Sequence, residues 1–350
     1  MTIIWLLVGL GLIVLGADRL VEGASSIARK AGVSEFVIGL TIVGFGTSCP
    51  ELVVSLTGAL EGNADIAVGN VLGSNIFNVL FILGLTALVR PVSMTSGNRK
   101  RDIPLTLAVT LLLLACGMGT SFGEPGHAGA LSRGEGALFL AVFALYIVWS
   151  FRSGRPGAEG AAPPCGDALG LESAAGADGP GDQAFGNHPA ATVSPQAGQD
   201  KVWLAVIWVL AGLAGLIFGG NLFVDSATDL ARMLGVSDKF IAVTILAGGT
   251  SLPELATSLV AALKGRDQLA LGNILGSNVF NILLILGSSA LITPLSFGSV
   301  APADALTLVL SAALLLLWAY SGRKERIDRW EGAVMLLVFG AYYHYLFINL

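Results

Sequence analysis

Thr47-Ser48-Cys49-Pro50-Glu51 recurs 203 residues further along the chain as Thr250-Ser251-Leu252-Pro253-Glu254. Extending the same offset outward aligns Ala31–Pro91 with Leu234–Pro294 without a gap, and 33 of the 61 positions are identical. Shared apolar composition does not explain this, because polar and special residues are among the identities. Gly69-Asn70 returns as Gly272-Asn273. Gly73-Ser74-Asn75 and Phe77-Asn78 return as Gly276-Ser277-Asn278 and Phe280-Asn281. The chain is an internal duplication, an arrangement common among secondary transporters.

The rest of the sequence sets the medium in which this duplication folds. Of 350 residues, 54% are hydrophobic and 12% charged, against roughly 25% charged in soluble domains. A membrane-spanning helix needs about 20 mostly apolar residues. Apolar length predicts spans near 2–28, 35–61, 66–89, 103–121 and 136–152, and again near 202–231, 238–263, 269–292, 302–320 and 330–348. The expected fold is an all-α membrane protein of ten transmembrane helices. Five spans per half is an odd number, so the halves enter the bilayer from opposite sides, as two inverted five-helix repeats. The first apolar stretch has no basic residues ahead of it and no small-residue cleavage site, and reads as a retained span.

Loop charge tests this map independently. With the N-terminus outside, inner loops hold 15 Lys and Arg and outer loops hold Arg133, Arg232 and Lys239, while Arg19 falls inside a span. That is the positive-inside bias of an inner or plasma membrane protein with both termini outside. Residues 1–152 and 201–350 are thus expected to form the two repeats. Residues 153–200, rich in Gly, Ala, Pro and Asp, lack the large apolar side chains needed to fold alone. They read as a flexible cytoplasmic linker, and their scattered acids lack the geometry of a Ca²⁺ loop. Cys49, Cys116 and Cys165 suggest neither a disulfide framework nor a zinc site. Nothing points to covalent catalysis, an organic cofactor or nucleic acid.

Glu51 and Glu254 are the costly residues. A carboxylate at the bilayer centre costs roughly 2.5–3.5 kcal/mol or more and usually faces a bundle interior or cavity. No Lys or Arg lies at the same depth, so a bound cation is the expected compensation. Pro50 and Pro253 sharpen the case. Each lacks an N–H and each pushes its helix open, freeing carbonyls four residues back and nearby. The glycines of Gly44-Phe45-Gly46 weaken the first of these helices further. Irregular backbone at membrane depth is tolerated where it lines a cavity or lies buried in protein. Ser74 and Asn78, four residues apart, share a helix face, as do Ser277 and Asn281. Two carboxylates among many neutral oxygens suit Ca²⁺ and also Na⁺. No His or Cys pairs at metal-ligand spacing favour a softer metal. His127, His188 and His344 are expected in loops or near an end.

Together these motifs resemble the two alpha-repeats of the calcium/cation antiporter superfamily, in particular prokaryotic sodium/calcium exchangers. The resemblance covers nearly everything except the linker. It implies that Glu51 and Glu254 coordinate Ca²⁺ and Na⁺, joined by the backbone carbonyls of Thr47 and Thr250. It implies Na⁺ contacts from Gly44, Ala247, Ser48, Ser251, Ser74 and Ser277, and it implicates Asn78 and Asn281. Asn281 stands where several relatives carry Asp, which removes a possible third charge. The implied activity is Na⁺/Ca²⁺ exchange across a lipid bilayer by alternating access, with Ca²⁺ and Na⁺ as substrates and the first and sixth spans sliding as a gate. Residue chemistry alone leaves open a proton-coupled divalent-cation exchanger, a cation channel and a non-transporting scaffold.

Overall fold

The structure is a computed structural model and describes residues 2–118, 129–153, 202–235, 247–321 and 325–349. Residues 154–200 of the expected linker, with Cys165, His127, His188 and residues 238–246 of the expected span 238–263, lie outside the described residues. The helices are α1 (Thr2–Ala31), α2 (Glu35–Thr47), α3 (Cys49–Leu60), α4 (Ala64–Val89), α5 (Ile103–Met118), α6 (Arg133–Ser153), α7 (Val202–Met233), α8 (Leu252–Leu263), α9 (Asp267–Ile292), α10 (Pro302–Ser321) and α11 (Arg329–Asn349). Among them, α1, α4, α6, α7, α9, α10 and α11 are each long and apolar enough to cross a membrane. The pair α2–α3, bent by 50° at Ser48, makes an eighth. α5 and α8 are apolar but shorter, at 16 and 12 residues.

Hydrophobicity sorts these helices into a centre and a periphery. Of the apolar window of α9, 94% is buried, and of α4, 72%, against 28% for α1 and α7 and 17% for α11. A helix apolar all round belongs in a core or against lipid. Here α4 and α9 fill the core, while Ile3, Leu7, Leu15, Leu210, Phe218 and Leu337 face outward.

Two local devices fold the repeated hairpins. α3 ends at Gly62 and α8 at Gly265, with φ of +78° and +76°. This left-handed glycine cap lets Asn63 N–H reach Gly58 O at 2.7 Å and Arg266 N–H reach Ala261 O at 2.8 Å, closing each helix in a six-to-one bond. α3 thus turns back along α4, and α8 along α9. α1 and α7 run antiparallel in very close contact. A Cβ at Gly16 would lie 2.8 Å from both Gly212 O and Leu216 N. Small residues allow this approach inside a membrane, where packing rather than hydrophobicity drives helix association.

Two short strand pairs join the halves. β1 (Val92–Ser93) and β2 (Ala130–Leu131) lie in the first half, β3 (Leu295–Ser296) and β4 (Arg326–Ile327) in the second. β1 pairs antiparallel with β4, and β2 with β3.

Candidate functional site

Each central break places a carboxylate in the first turn of a new helix. Ser48 (φ −83°, ψ 8°) precedes α3, and Ser251 (φ −89°, ψ 8°) precedes α8. Pro50 and Pro253 sit in the opening turn, where a missing N–H costs nothing because no intrahelical acceptor awaits it. The proline therefore starts a helix more than it deforms one. Glu51 and Glu254 follow directly, and each is 1% exposed.

Each of the two acids is held by a serine of the other half. Ser48 Oγ donates to Glu254 Oε1 at 2.9 Å, and Ser251 Oγ donates to Glu51 Oε1 at 3.0 Å. Ser277 Oγ adds a longer contact to Glu254 Oε1 at 3.5 Å. The remaining oxygens, Glu51 Oε2 and Glu254 Oε2, are buried without a hydrogen-bond partner. Asn78 Oδ1 and Asn281 Oδ1 are in the same condition. Four buried acceptors thus lack a donor, in two symmetric pairs. A buried polar atom left unpaired costs roughly 1–3 kcal/mol, and more when charged. Unpaired carboxylate and amide oxygens are the ligand type that a hard cation takes. The four acceptors are all oxygens, two carboxylate and two amide, a hard set; among the described residues no group of three or more His, Cys, Asp or Glu converges.

Of the other expected residues, Ser48, Ser251 and Ser277 hydrogen-bond the two acids directly, and the rest have contacts of their own. Thr47 is fully buried, and its hydroxyl lies 3.1 Å from Asn273 Oδ1 and 3.4 Å from Gly44 O. Gly44 packs on α9, where a Cβ would come within 3.3 Å of Ser277 N. Ala247 opens the short turn Ala247–Gly249 that leads into the second break. Thr250 is half-buried and lines, with Pro50, Pro253, Asn221 and Asp225, a cavity of about 290 Å³ against α7. Ser74 differs from its counterpart Ser277, since its hydroxyl turns back to Asn70 O at 2.5 Å. Asn78 and Asn281 open the wide π-helical turns Phe77–Leu83 and Phe280–Leu286, a feature frequent at functional sites. His344 is exposed on α11.

Sequence reasoning assigned no role to a supporting layer. Asn70 Nδ2 donates to Glu51 O (3.2 Å) and Ser55 Oγ (3.0 Å). Asn273 Nδ2 donates to Glu254 O (3.4 Å) and Ser258 Oγ (2.9 Å). Each pins an acid-bearing helix to its hairpin partner. Asn75 and Asn278 join the halves near Asn78 and Asn281. All four asparagines recur in the repeat, so recurrence of a polar residue in an apolar span was the available signal.

Fold and site together define a polytopic helical membrane protein with a cross-braced carboxylate pair at its core. The sodium/calcium exchanger protein family matches residues 1–152 and 204–348, and the chain belongs to it. It is similar to the putative antiporter CaxA of Alkalimonas amylolytica, 42% identical over 346 residues that cover 98% of each chain. It is 34% identical over 356 residues to the sodium/calcium exchanger MaX1 of Methanosarcina acetivorans, covering 98% of this chain and 97% of that one. Among solved structures, the sodium-calcium exchanger NCX_Mj soaked with 10 mM Na⁺ and zero Ca²⁺ superposes with a TM-score of 0.75 at 29% identity, covering 100% of this chain and 98% of the other.

Proposed function

We propose that this protein is a secondary active Na⁺/Ca²⁺ exchanger that carries its ions at a single midplane site formed by Glu51 and Glu254. One observation carries the reading: carboxylates from two separate halves, each gripped by the other half's serine, keep one buried oxygen apiece without a donor. Thr47, Thr250, Gly44, Ala247, Ser48, Ser251, Ser74, Ser277, Asn78 and Asn281 complete the proposed ligand set. One Ca²⁺ neutralises the pair, and Na⁺ ions do so in its place. An empty, doubly charged site is costly to seal from water, so the carrier crosses loaded, and exchange follows. α1 and α7, exposed along most of their length and packed on each other, are the proposed moving gate.

The topology belongs to the same proposal: ten spans, two inverted repeats at 1–152 and 201–350, a flexible linker at 153–200, and both termini outside the plasma membrane. Counting α2–α3 as one span, α5 and α8 as spans, and the seven long helices gives ten. The strand pairs support the alternation. β1 and β4 both fall in loops assigned to the inner side, β2 and β3 in loops assigned to the outer side. The Arg90–Asp267 ion pair likewise joins two inner loops.

The test is ⁴⁵Ca²⁺ uptake into proteoliposomes with outward Na⁺, K⁺ and H⁺ gradients imposed separately. The proposal requires uptake driven by Na⁺ at fixed pH. Uptake driven by a pH gradient without Na⁺ replaces it with proton coupling, flux that needs no counter-ion makes the protein a channel, and no flux makes it a scaffold.

A further inference from the structure

The four central asparagines form a relay that crosses between the halves. Asn75 Nδ2 lies 3.2 Å from the backbone carbonyl of Asn278. A backbone carbonyl only accepts, so the Asn75 atom facing it is the nitrogen. The oxygen of Asn75 must therefore point the other way, where Asn281 Nδ2 donates to it at 3.0 Å. That bond in turn fixes the amide of Asn281. Its nitrogen is spent on Asn75, and its Oδ1 is left buried and without a donor. In the other half Asn78 Nδ2 donates to Asn278 Oδ1 at 3.1 Å, and Asn78 Oδ1 is left in the same state. None of the four residues is more than 3% exposed, so these contacts are shielded from bulk solvent.

We infer that Asn75 and Asn278 are positioning residues that orient the amides of Asn281 and Asn78, so that each presents its carbonyl oxygen to the transported cation. This rests on the reading of Asn78 and Asn281 as cation ligands. An amide has two faces of opposite polarity. Flipped, Asn281 would set an N–H₂ group against the ion and its oxygen against the oxygen of Asn75. The relay makes that orientation doubly unfavourable. It also explains why the bonds are exchanged between halves. As with Ser48 and Ser251, each half orients ligands carried by the other, so the full ligand set exists only when both halves are in register.

The test uses the full chain in detergent and reads the Ca²⁺ concentration for half-maximal thermal stabilisation, which depends on binding and not on transport. Asn75→Leu keeps the side-chain volume and removes the relay. It is expected to raise that concentration about tenfold, the order of losing one hydrogen-bond-strength contact to a charge. Asn281→Ala removes the ligand itself and is expected to do about the same. The double variant is expected within about twofold of Asn281→Ala, since a flipped amide that is absent has no further effect. Multiplying losses, about a hundredfold in the double variant, would overturn the inference, as would an Asn75→Leu protein within about twofold of wild type. Asn278→Leu with Asn78→Ala reads the mirrored relay in the same way, and Asn75→Ser repeats the first series with a smaller side chain if leucine prevents folding. Failure of Na⁺-driven uptake by wild type would refute the exchange reading while leaving these binding ratios to judge the relay.

Discussion

Glu254→Gln separates charge from shape at the centre of the molecule. Glutamine keeps the volume of glutamate and an oxygen to accept from Ser48 Oγ, 2.9 Å away in the structure. What disappears is one negative charge from a pair whose members are each 1% exposed. With both acids ionised, a bound Ca²⁺ leaves no net charge. With glutamine at 254, one positive charge remains uncompensated in the middle of the bundle. The cost of a single charge at that depth is about 2.5–3.5 kcal/mol on an insertion scale. At 1.4 kcal/mol per factor of ten, Ca²⁺ affinity should fall at least ~60- to ~300-fold. The loss should be smaller for a monovalent ion, because Na⁺ balances the one remaining carboxylate. Ca²⁺- and Na⁺-dependent thermal stabilisation of purified protein measures both. A Ca²⁺ affinity within about threefold of wild type would refute the charge-balance reasoning. Equal losses for the two ions would do the same.

Other outcomes follow from single features. Gly16→Ala drives a Cβ into the backbone of α7 and should lower thermal stability by about 1–3 kcal/mol; Gly11→Ala on the same helix, where a Cβ meets nothing within 4 Å, should be neutral in the same melting assay. Lys264 holds Asp18 at 2.6 Å and Glu22 at 3.2 Å, tying α1 to the end of α8. Its half-exposed position limits the stability loss in Lys264→Met to under ~1 kcal/mol, while freeing α1 should alter the initial rate of ⁴⁵Ca²⁺ exchange; an unchanged rate rejects any role for the tie in gating. In a cysteine-free background, an impermeant thiol reagent added to intact cells should label Arg133→Cys and spare Lys100→Cys. The reverse pattern would invert the proposed topology.

Much of this design is visible in the chain itself, because apolar spans carry few polar residues and those present are informative. Glu51 and Glu254 stand out through cost alone, and the repeat ties each to the same surroundings. The helical membrane fold follows from apolar length. What one-dimensional reading lacks is partnership. Asn75 and Asn278 recur as plainly as Asn78 and Asn281, yet only the crossing of α4 and α9 reveals which amide turns which. Ser74 and Ser277 occupy matching positions in sequence, but one hydroxyl turns to its own backbone and the other to Glu254. The role of proline also reads differently in three dimensions. A missing N–H suggests a distorted helix, whereas Pro50 and Pro253 each begin a new one after a serine that breaks the axis. The close approach of α1 and α7 depends on glycines that meet across two distant spans.

The most direct measurement is the position of a bound divalent cation, found by anomalous scattering from crystals of the full chain soaked in Sr²⁺. The account predicts one peak within coordination distance of both Glu51 Oε2 and Glu254 Oε2, with Asn78 Oδ1 and Asn281 Oδ1 turned toward it. A peak bound elsewhere, with the two carboxylates closed on a protein donor, would contradict it.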